Sequence, residues 1–266
     1  MILATIKQGA NNMNESERNY DVVRYNNGLN TVPLRKFTPV EMDIFWSVLS
    51  KMKRKGTEEI IFEFEDVERL AKYDRREKDS FHDALKSTWS KMKELDYSYE
   101  DDGYYEDFVL FQRFAIDKEK EKVIIQASER FEFVLNNIEL GFTRFELDNV
   151  TILDSGYVKE LYRQLMQYKD IDTKSGYWAV TVDEFRRLLA IPDSYRMSDI
   201  DKRIFNKAKD EFLSKKDGRD PIFEKFTVEK IKAKKGNKIQ RFVINFKEYQ
   251  DPNPVPMINW LEELNE

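Results

Sequence analysis

The side chains best equipped for chemistry lie between Ser198 and Phe246. From Ser198 onward Ile200, Ile204, Ala208 and Phe212 recur as one apolar stripe of a helix. The remaining face carries Lys202, Arg203, Asn206, Lys209 and Asp210, with Lys207 at its edge. Arg and Asn can make paired hydrogen bonds to guanine and adenine edges, while Lys neutralises phosphate. Lys202, Arg203, Asn206 and Lys209 are therefore the candidate base readers. Arg196 precedes the helix, and Lys215, Lys216 and Arg219 follow it. Two strand-like runs, Ile222 to Lys232 and Ile239 to Phe246, then flank the tip Lys232-Ala-Lys-Lys-Gly-Asn-Lys238. Gly236-Asn237 tolerates the positive φ of a tight turn, and Lys230, Lys232, Lys234, Lys235 and Lys238 crowd around it. A cationic helix leading into a cationic hairpin is the outline of a winged helix, whose helix enters the major groove while its wing lies along the phosphates. Arg196, Lys207, Lys215, Lys216, Arg219, Lys232, Lys234, Lys235 and Lys238 are the expected phosphate contacts. The plain alternatives are a solvated helix face and a lysine-blocked sheet edge. Cations on both sides of the helix weigh against the first, and the second is compatible with phosphate contact.

These side chains need a scaffold, and the sequence spells it twice. In the second half, Ser155 to Tyr168 is an amphipathic helix, Tyr177 to Val180 a short strand, and Thr181 caps a helix bearing Phe185, Leu188 and Leu189. The basic helix and hairpin complete the unit. In the first half, Thr38-Pro39-Val-Glu41 starts a helix with Phe45, Leu49 and Met52 on one face. Ile60 to Phe64 follows as a strand, Asp66 is the expected cap of a helix with Val67, Leu70 and Ala71, and Phe81, Leu85, Trp89 and Met92 mark a longer helix from Glu77 to Leu95. Strand-like runs from Asp107 to Ala115 and Lys122 to Ala127 come next, then an aromatic-rich stretch to Phe145 with room for a helix. Before all of these, Tyr20 to Leu29 reads as a short helix. Asp66 and Asp183 are 117 residues apart and Phe81 and Ile200 are 119 apart, a nearly constant offset. The expected fold is α+β, two tandem winged helix-turn-helix domains. The expected divisions are 1–19 (polar leader), 20–153 (first winged helix), 154–250 (second winged helix) and 251–266 (Pro-containing apolar tail).

Charge separates the copies. Residues 1–153 hold 23 Lys+Arg against 30 Asp+Glu, whereas residues 154–250 hold 22 against 16. With a net charge of −5 overall, a polyanion should dock mainly on the second half, because attraction decays within about 8–10 Å at ordinary salt. In the first copy Arg75, Arg76, Lys78, Lys86 and Lys91 flank or occupy the corresponding helix, diluted by Glu77, Asp79 and Asp83. Its expected wing, Glu100-Asp-Asp-Gly-Tyr-Tyr-Glu-Asp107, is acidic and would repel phosphate. This copy is expected to be an interaction surface or an auxiliary DNA contact.

Several functions are disfavoured. His82 is the sole histidine and there is no cysteine, so zinc fingers, disulfides and His-cluster metal sites are ruled out. No phosphate-binding G-x-x-x-x-G-K-[ST] loop occurs, and the scattered carboxylates form no acid/base pair. The chain is expected to be non-enzymatic, with no metal or cofactor. No apolar run approaches the roughly 18–20 residues of a membrane span, and the first 18 residues lack a signal-peptide pattern, so a cytoplasmic protein is expected. In the tail, Met257, Ile258, Trp260, Leu261 and Leu264 follow three alternating prolines. That segment suits either a fold-back onto its own chain or a partner's groove.

The stretch Ser155-Gly-Tyr-Val-Lys-Glu-Leu-Tyr-Arg-Gln-Leu-Met-Gln-Tyr-Lys169, then Val182-Asp-Glu-Phe-Arg-Arg-Leu-Leu-Ala-Ile-Pro-Asp-Ser-Tyr195 and the helix from Asp199, resembles the iteron-binding replication initiator (Rep) family of theta-replicating plasmids. The resemblance covers most of residues 20–248 and is strongest from 155 to 212. It implies two winged helices, the second reading double-stranded origin repeats and the first mediating homodimerisation or extra DNA contact. It further implies monomers that open the origin and recruit host replication proteins, and dimers that repress their own transcription. The implied reading residues are Lys202, Arg203, Asn206 and Lys209, with Arg196 nearby; Asp201 and Asp210 beside them depart from a purely cationic face. A protein-interaction scaffold with non-specific DNA binding and a stand-alone transcriptional repressor are the alternatives.

Overall fold

Two runs of alternating buried and exposed residues build two antiparallel sheets of the same plan. The computed structural model describes residues 22–250, apart from 53–54, 74–77, 102, 137–140 and 217. It opens with β1 (Val22–Asn26) and a 3-10 turn (Asn27–Thr31) rather than the helix expected at 20–29. Val22, Val23 and Tyr25 favour extended backbone, and β1 gains a partner strand more than 110 residues away, with Tyr25 opposite Thr143. Local periodicity carries no trace of that partner.

The first module comprises α1 (Pro39–Met52), β2 (Ile60–Glu63), α2 (Phe64–Leu70), α3 (Lys78–Met92), a β3–β4 hairpin (Asp96–Asp101 and Tyr104–Val109), β5 (Phe111–Asp117) and β6 (Lys122–Ala127). The start of α1 is a reciprocal cap: the Thr38 amide donates to Glu41 Oε2 at 2.6 Å, and the Glu41 amide donates to Thr38 Oγ1 at 3.3 Å. Asp66 does not cap α2, which begins two residues earlier after Glu63; Asp66 instead pairs with Lys51 at 3.0 Å. In the sheet, β6 lies between β2 and β5, pairing Ile125 with both Ile60 and Phe114. The true wing of this module is therefore the β5–β6 turn at residues 118–121. The acidic stretch expected as the wing, Glu100 to Asp107, belongs to the β3–β4 hairpin, an insertion between α3 and the sheet. Two adjacent hairpins look alike in sequence, and only the pairing with β2 identifies the wing.

After α4 (Glu129–Asn136), β7 (Phe142–Glu146) and α5 (Leu147–Thr151), the plan repeats as α6 (Gly156–Met166), β8 (Ser175–Thr181), α7 (Val182–Leu188), α8, β9 (Phe223–Lys232) and β10 (Ile239–Glu248). Helix α8 runs through Met197–Ile200, a π-helical turn at Asp201–Phe205, and Asn206–Leu213. Strand β10 sits between β8 and β9, just as β6 sits between β2 and β5, with Phe242 opposite Val180 and Ile244 opposite Trp178. The core is continuous: Tyr162 of α6 lies 5.6 Å from Phe145 of β7 and 6.1 Å from Phe212 of α8, centroid to centroid. Burying each such side chain contributes about 1.5–3 kcal/mol.

Helix α6 fixes how the modules sit together. Its apolar face, Val158, Leu161, Tyr162 and Leu165, is buried as the spacing predicts, but Lys159, Glu160, Arg163 and Gln164 are buried as well. Arg163 donates to the carbonyls of Leu29 (3.1 Å) and Val32 (2.6 Å) and to Glu160 Oε2 (2.8 Å). Gln164 Nε2 donates to the Asn30 carbonyl at 2.7 Å, and Lys159 Nζ to the Val150 carbonyl at 2.7 Å and to Asp43 of α1. Burial raises Asp43 to about 7 against the opposing pull of Lys159, and burial likewise raises Glu160 and lowers Lys159. Buried ions cost desolvation energy that only well-placed partners offset. The junction between modules is thus directional, since the Arg163 and Lys159 donors meet their acceptors in one geometry.

Candidate nucleic-acid interface

The turn between α7 and α8 is built before any reading surface can exist. Thr181 Oγ1 accepts from the Glu184 amide at 3.1 Å and starts α7. At its end Ala190 takes a φ of 43°, a left-handed conformation that reverses the chain. Arg186 then ties the turn down, donating to the carbonyls of Pro192 (3.2 Å) and Tyr195 (2.6 Å). Asp199 accepts from the Arg196 amide at 2.9 Å and holds the first turn of α8.

Within α8 the π-helical turn ends on a core residue outside the i, i+4 series Ile200–Ile204–Ala208–Phe212. Phe205 is buried beside Ile204, 5.3 Å from Phe185 and 5.0 Å from Phe242. π-turns recur at functional sites, because the extra residue shifts which side chains face out. Here Lys202, Arg203, Asn206, Lys207, Lys209 and Asp210 are exposed, the face expected from sequence. Arg203 lies over the Tyr195 ring at 5.2 Å and 4.0 Å from Asp199, so its guanidinium is oriented rather than free. Lys207 pairs with Glu211 at 3.4 Å. Among the described residues Lys202, Asn206 and Lys209 have no such partner, which leaves their polar groups available to a ligand. Asp201, out of place on a cationic face, pairs with Lys230 of β9 and braces the helix against the base of the wing.

At the wing the Ala233 amide donates to the Lys238 carbonyl at 2.9 Å, closing a turn in which Gly236 has a φ of 91°. Lys232, Lys234, Lys235 and Lys238 all stand in solvent, without carboxylate partners among the described residues. Phe242, Ile244 and Phe246 are buried beneath them, so the tip projects from a fixed base.

The remaining expected phosphate contacts separate into two groups. Arg196 is exposed beside the reading face. Lys216 is committed elsewhere, donating to the Ile152 carbonyl at 2.9 Å and to Asp154 at 2.6 Å; Arg219 pairs with Asp148 at 3.1 Å, and Lys215 with Asp220 at 2.8 Å. Lys216 and Arg219 therefore tie the segment after α8 to the end of the first module. In that module Lys86 is exposed, Arg75 and Arg76 lie outside the described residues, and Lys78 begins α3. The tail residues Met257, Ile258, Trp260, Leu261 and Leu264 also lie outside the described residues. Sequence reasoning missed Arg186 and Tyr195. Their signal is an aromatic residue just ahead of the helix with an arginine nine positions before it, separated by Pro192. Among the described residues no helix is long and apolar enough to cross a membrane, and no His, Cys, Asp and Glu side chains gather as a metal site.

Comparison with known proteins agrees with this architecture. The family described as "Initiator Replication protein, WH1" matches residues 22–166, and the one described as "Initiator Rep protein, WH2" matches residues 181–246. A curated relative, "Probable replication protein rep" of Bifidobacterium longum (strain NCC 2705), is 34% identical over 175 residues. The match covers 65% of this chain and 58% of that relative, so the chain spans less than two thirds of the relative's length. Among solved structures, the Pi initiator protein in complex with iteron DNA is similar with a TM-score of 0.70, covering 88% of this chain and 99% of that one. Sequence identity to it is 16%, so the likeness is one of fold: two winged helices in tandem.

Proposed function

The chain belongs to the initiator replication protein family, and from that premise we propose that it is a sequence-specific, double-stranded-DNA-binding initiator of plasmid replication that acts on origin repeats. The observation that carries this reading is the shared exposure of α8 and the β9–β10 tip. Lys202, Asn206 and Lys209 on the helix, and four lysines on the wing, are held on a rigid frame without internal partners among the described residues. A helix in the major groove with a wing on the backbone uses such groups in two ways: the helix discriminates bases and the wing adds affinity without discrimination. The relative called a probable replication protein, and the fold shared with an initiator crystallised on iteron DNA, support the same reading.

In this proposal the chain is non-enzymatic and cytoplasmic. The second module reads the repeats, and the first supplies a self-association surface or an auxiliary DNA contact. Recruitment of host replication proteins and repression of its own transcription belong to the same proposal. The direct test is a fluorescence titration of the full chain against a duplex carrying the origin's direct repeats and a scrambled duplex of equal length, at stated salt. Tighter binding to the repeats by a factor of 10³ or more is expected of a specific binder. Equal affinity for the two would replace the initiator by a scaffold that binds DNA only through its charge.

A further inference from the structure

Arg35 stands at one end of a ladder of ring contacts that crosses from the first module to the reading helix of the second. It lies in the exposed loop between the 3-10 turn and α1, with its guanidinium 4.4 Å from the centre of the Tyr157 ring at the start of α6. Tyr157 lies 6.1 Å from Tyr195, and Tyr195 carries Arg203 of α8 over its ring at 5.2 Å. The Tyr157 ring is nine-tenths buried and its hydroxyl has no hydrogen-bond partner, so this ring acts as a platform rather than a polar ligand. Beside the ladder is a cleft of about 460 Å³ whose walls include Arg35, Lys36, Lys91, Glu94 and Arg187.

The cations around this cleft are engaged to different degrees. Lys91 is bound by Glu41, and Arg187 makes two hydrogen bonds to Glu184, at 2.9 and 2.6 Å. Lys36 reaches Glu94 at 3.0 Å, but both side chains are well over half exposed, and such a pair yields readily to a stronger anion. Arg35 has no carboxylate within 4.0 Å among the described residues. Packing against the Tyr157 ring holds the guanidinium in place while Arg35 stays exposed, an arrangement in which arginine grips phosphate with little loss of entropy. The ladder also measures distance. Steps of 4.4, 6.1 and 5.2 Å put Arg35 no more than about 16 Å from Arg203, while the major groove is about 12 Å wide. With Arg203 at the base edges, that bound is compatible with Arg35 meeting a phosphate at the rim of the same groove.

We propose that Arg35, with Lys36 beside it, is a phosphate-binding site on the first module that grips the rim of the groove read by α8. The inference rests on the reading of the chain as a DNA-binding initiator. It gives the first module a DNA contact in a loop, in addition to any made through α3 or its wing, and it makes the two packed tyrosines the spacer between backbone grip and base readout.

The test is a salt series from 50 to 200 mM with the full chain, the direct-repeat duplex and the scrambled duplex, comparing wild type with Arg35→Ala, Arg35→Lys and Lys36→Ala. Arg35→Ala is expected to weaken both duplexes by the same five- to tenfold at about 0.1 M salt and to flatten the log–log salt dependence by about 0.9. Lys36→Ala should do the same to a similar or smaller degree, and Arg35→Lys should retain the slope. Wild-type behaviour of Arg35→Ala and Lys36→Ala would overturn the proposal. So would weaker binding at an unchanged salt slope, which is the result of lost packing against Tyr157. A wild-type chain that binds neither duplex would instead remove the DNA-binding reading itself, and this inference with it.

Discussion

The two modules share a topology and differ in how the third helix of each uses its polar side chains. On α3, Ser87 and Lys91 turn inward to Glu41 of α1, and Trp89 stacks on Phe114 at 4.5 Å. Burial alone would raise Glu41, but Lys91, Ser87 and Thr38 together hold it below its ordinary value. On α8 the position matching Ser87 is Asn206, which points out, and Lys202 and Lys209 beside it are also exposed and unengaged among the described residues. The wings differ in the same sense. The β5–β6 tip is Lys118-Glu-Lys-Glu121, with Lys120 3.6 Å from Asp117, whereas the β9–β10 tip projects lysines alone among its charged residues. Buried residues fix the topology in both copies, so the exposed faces are free to diverge. A module's role is therefore told by which of its polar groups lack internal partners.

The comparison can be broken at the junction first. Arg163→Met leaves two carbonyls without their donor and Glu160 with only the Leu34 amide, and a loss of about 3–5 kcal/mol is expected, read as a fall in thermal midpoint. Retention of stability would mean that the modules are joined by apolar packing alone. The second effect is one of pH at the same junction. Because burial raises Asp43 from 3.8 to about 7 in the folded chain, its contribution is complete below about pH 4 and is lost as pH rises through 7. Relative to Asp43→Asn, the wild type should lose roughly 2–4 kcal/mol over that interval, measured by denaturant unfolding at each pH. A pH-independent difference would show Asp43 to be ionised throughout.

The reading surfaces give the next two effects. Asn206→Ala should cost about 1–3 kcal/mol of discrimination between repeat and scrambled duplexes, while Lys86→Ala on α3 should leave the discrimination unchanged. Equal losses would make both third helices readers. Finally, Lys234→Ala with Lys235→Ala should weaken all duplexes alike and reduce the salt slope by about 2, against little change for Lys118→Ala with Lys120→Ala. A matching drop from the first wing would show that the mixed charge of its tip does not keep it off the backbone.

Much of this was legible from residue order. The capped start of α1 at Thr38, the stripe Ile200–Ile204–Ala208–Phe212 and the wing turn at Gly236 all rest on interactions within a few residues of one another, and local chemistry suffices to find them. The misreadings share the opposite character. The strand at 22–26 needs β7, the first wing needs β2 and β6 to distinguish two hairpins, and Asp66 finds Lys51 rather than a helix end. Lys216 and Arg219 counted as free cations in sequence, yet carboxylates and a carbonyl from residues 148–154 hold them.

The sequence alone determined two winged helices in tandem and a basic second copy, because periodicity, capping and charge are properties of neighbouring residues. Tertiary structure decided which charges remain available. It turned Asp201 into a brace for the wing, buried Lys159 and Arg163 in the junction, and aligned Arg35 with Arg203 through two tyrosines. The physical reason is that a charged side chain's role depends on its partner and its solvation, and both are set by segments far apart in the chain.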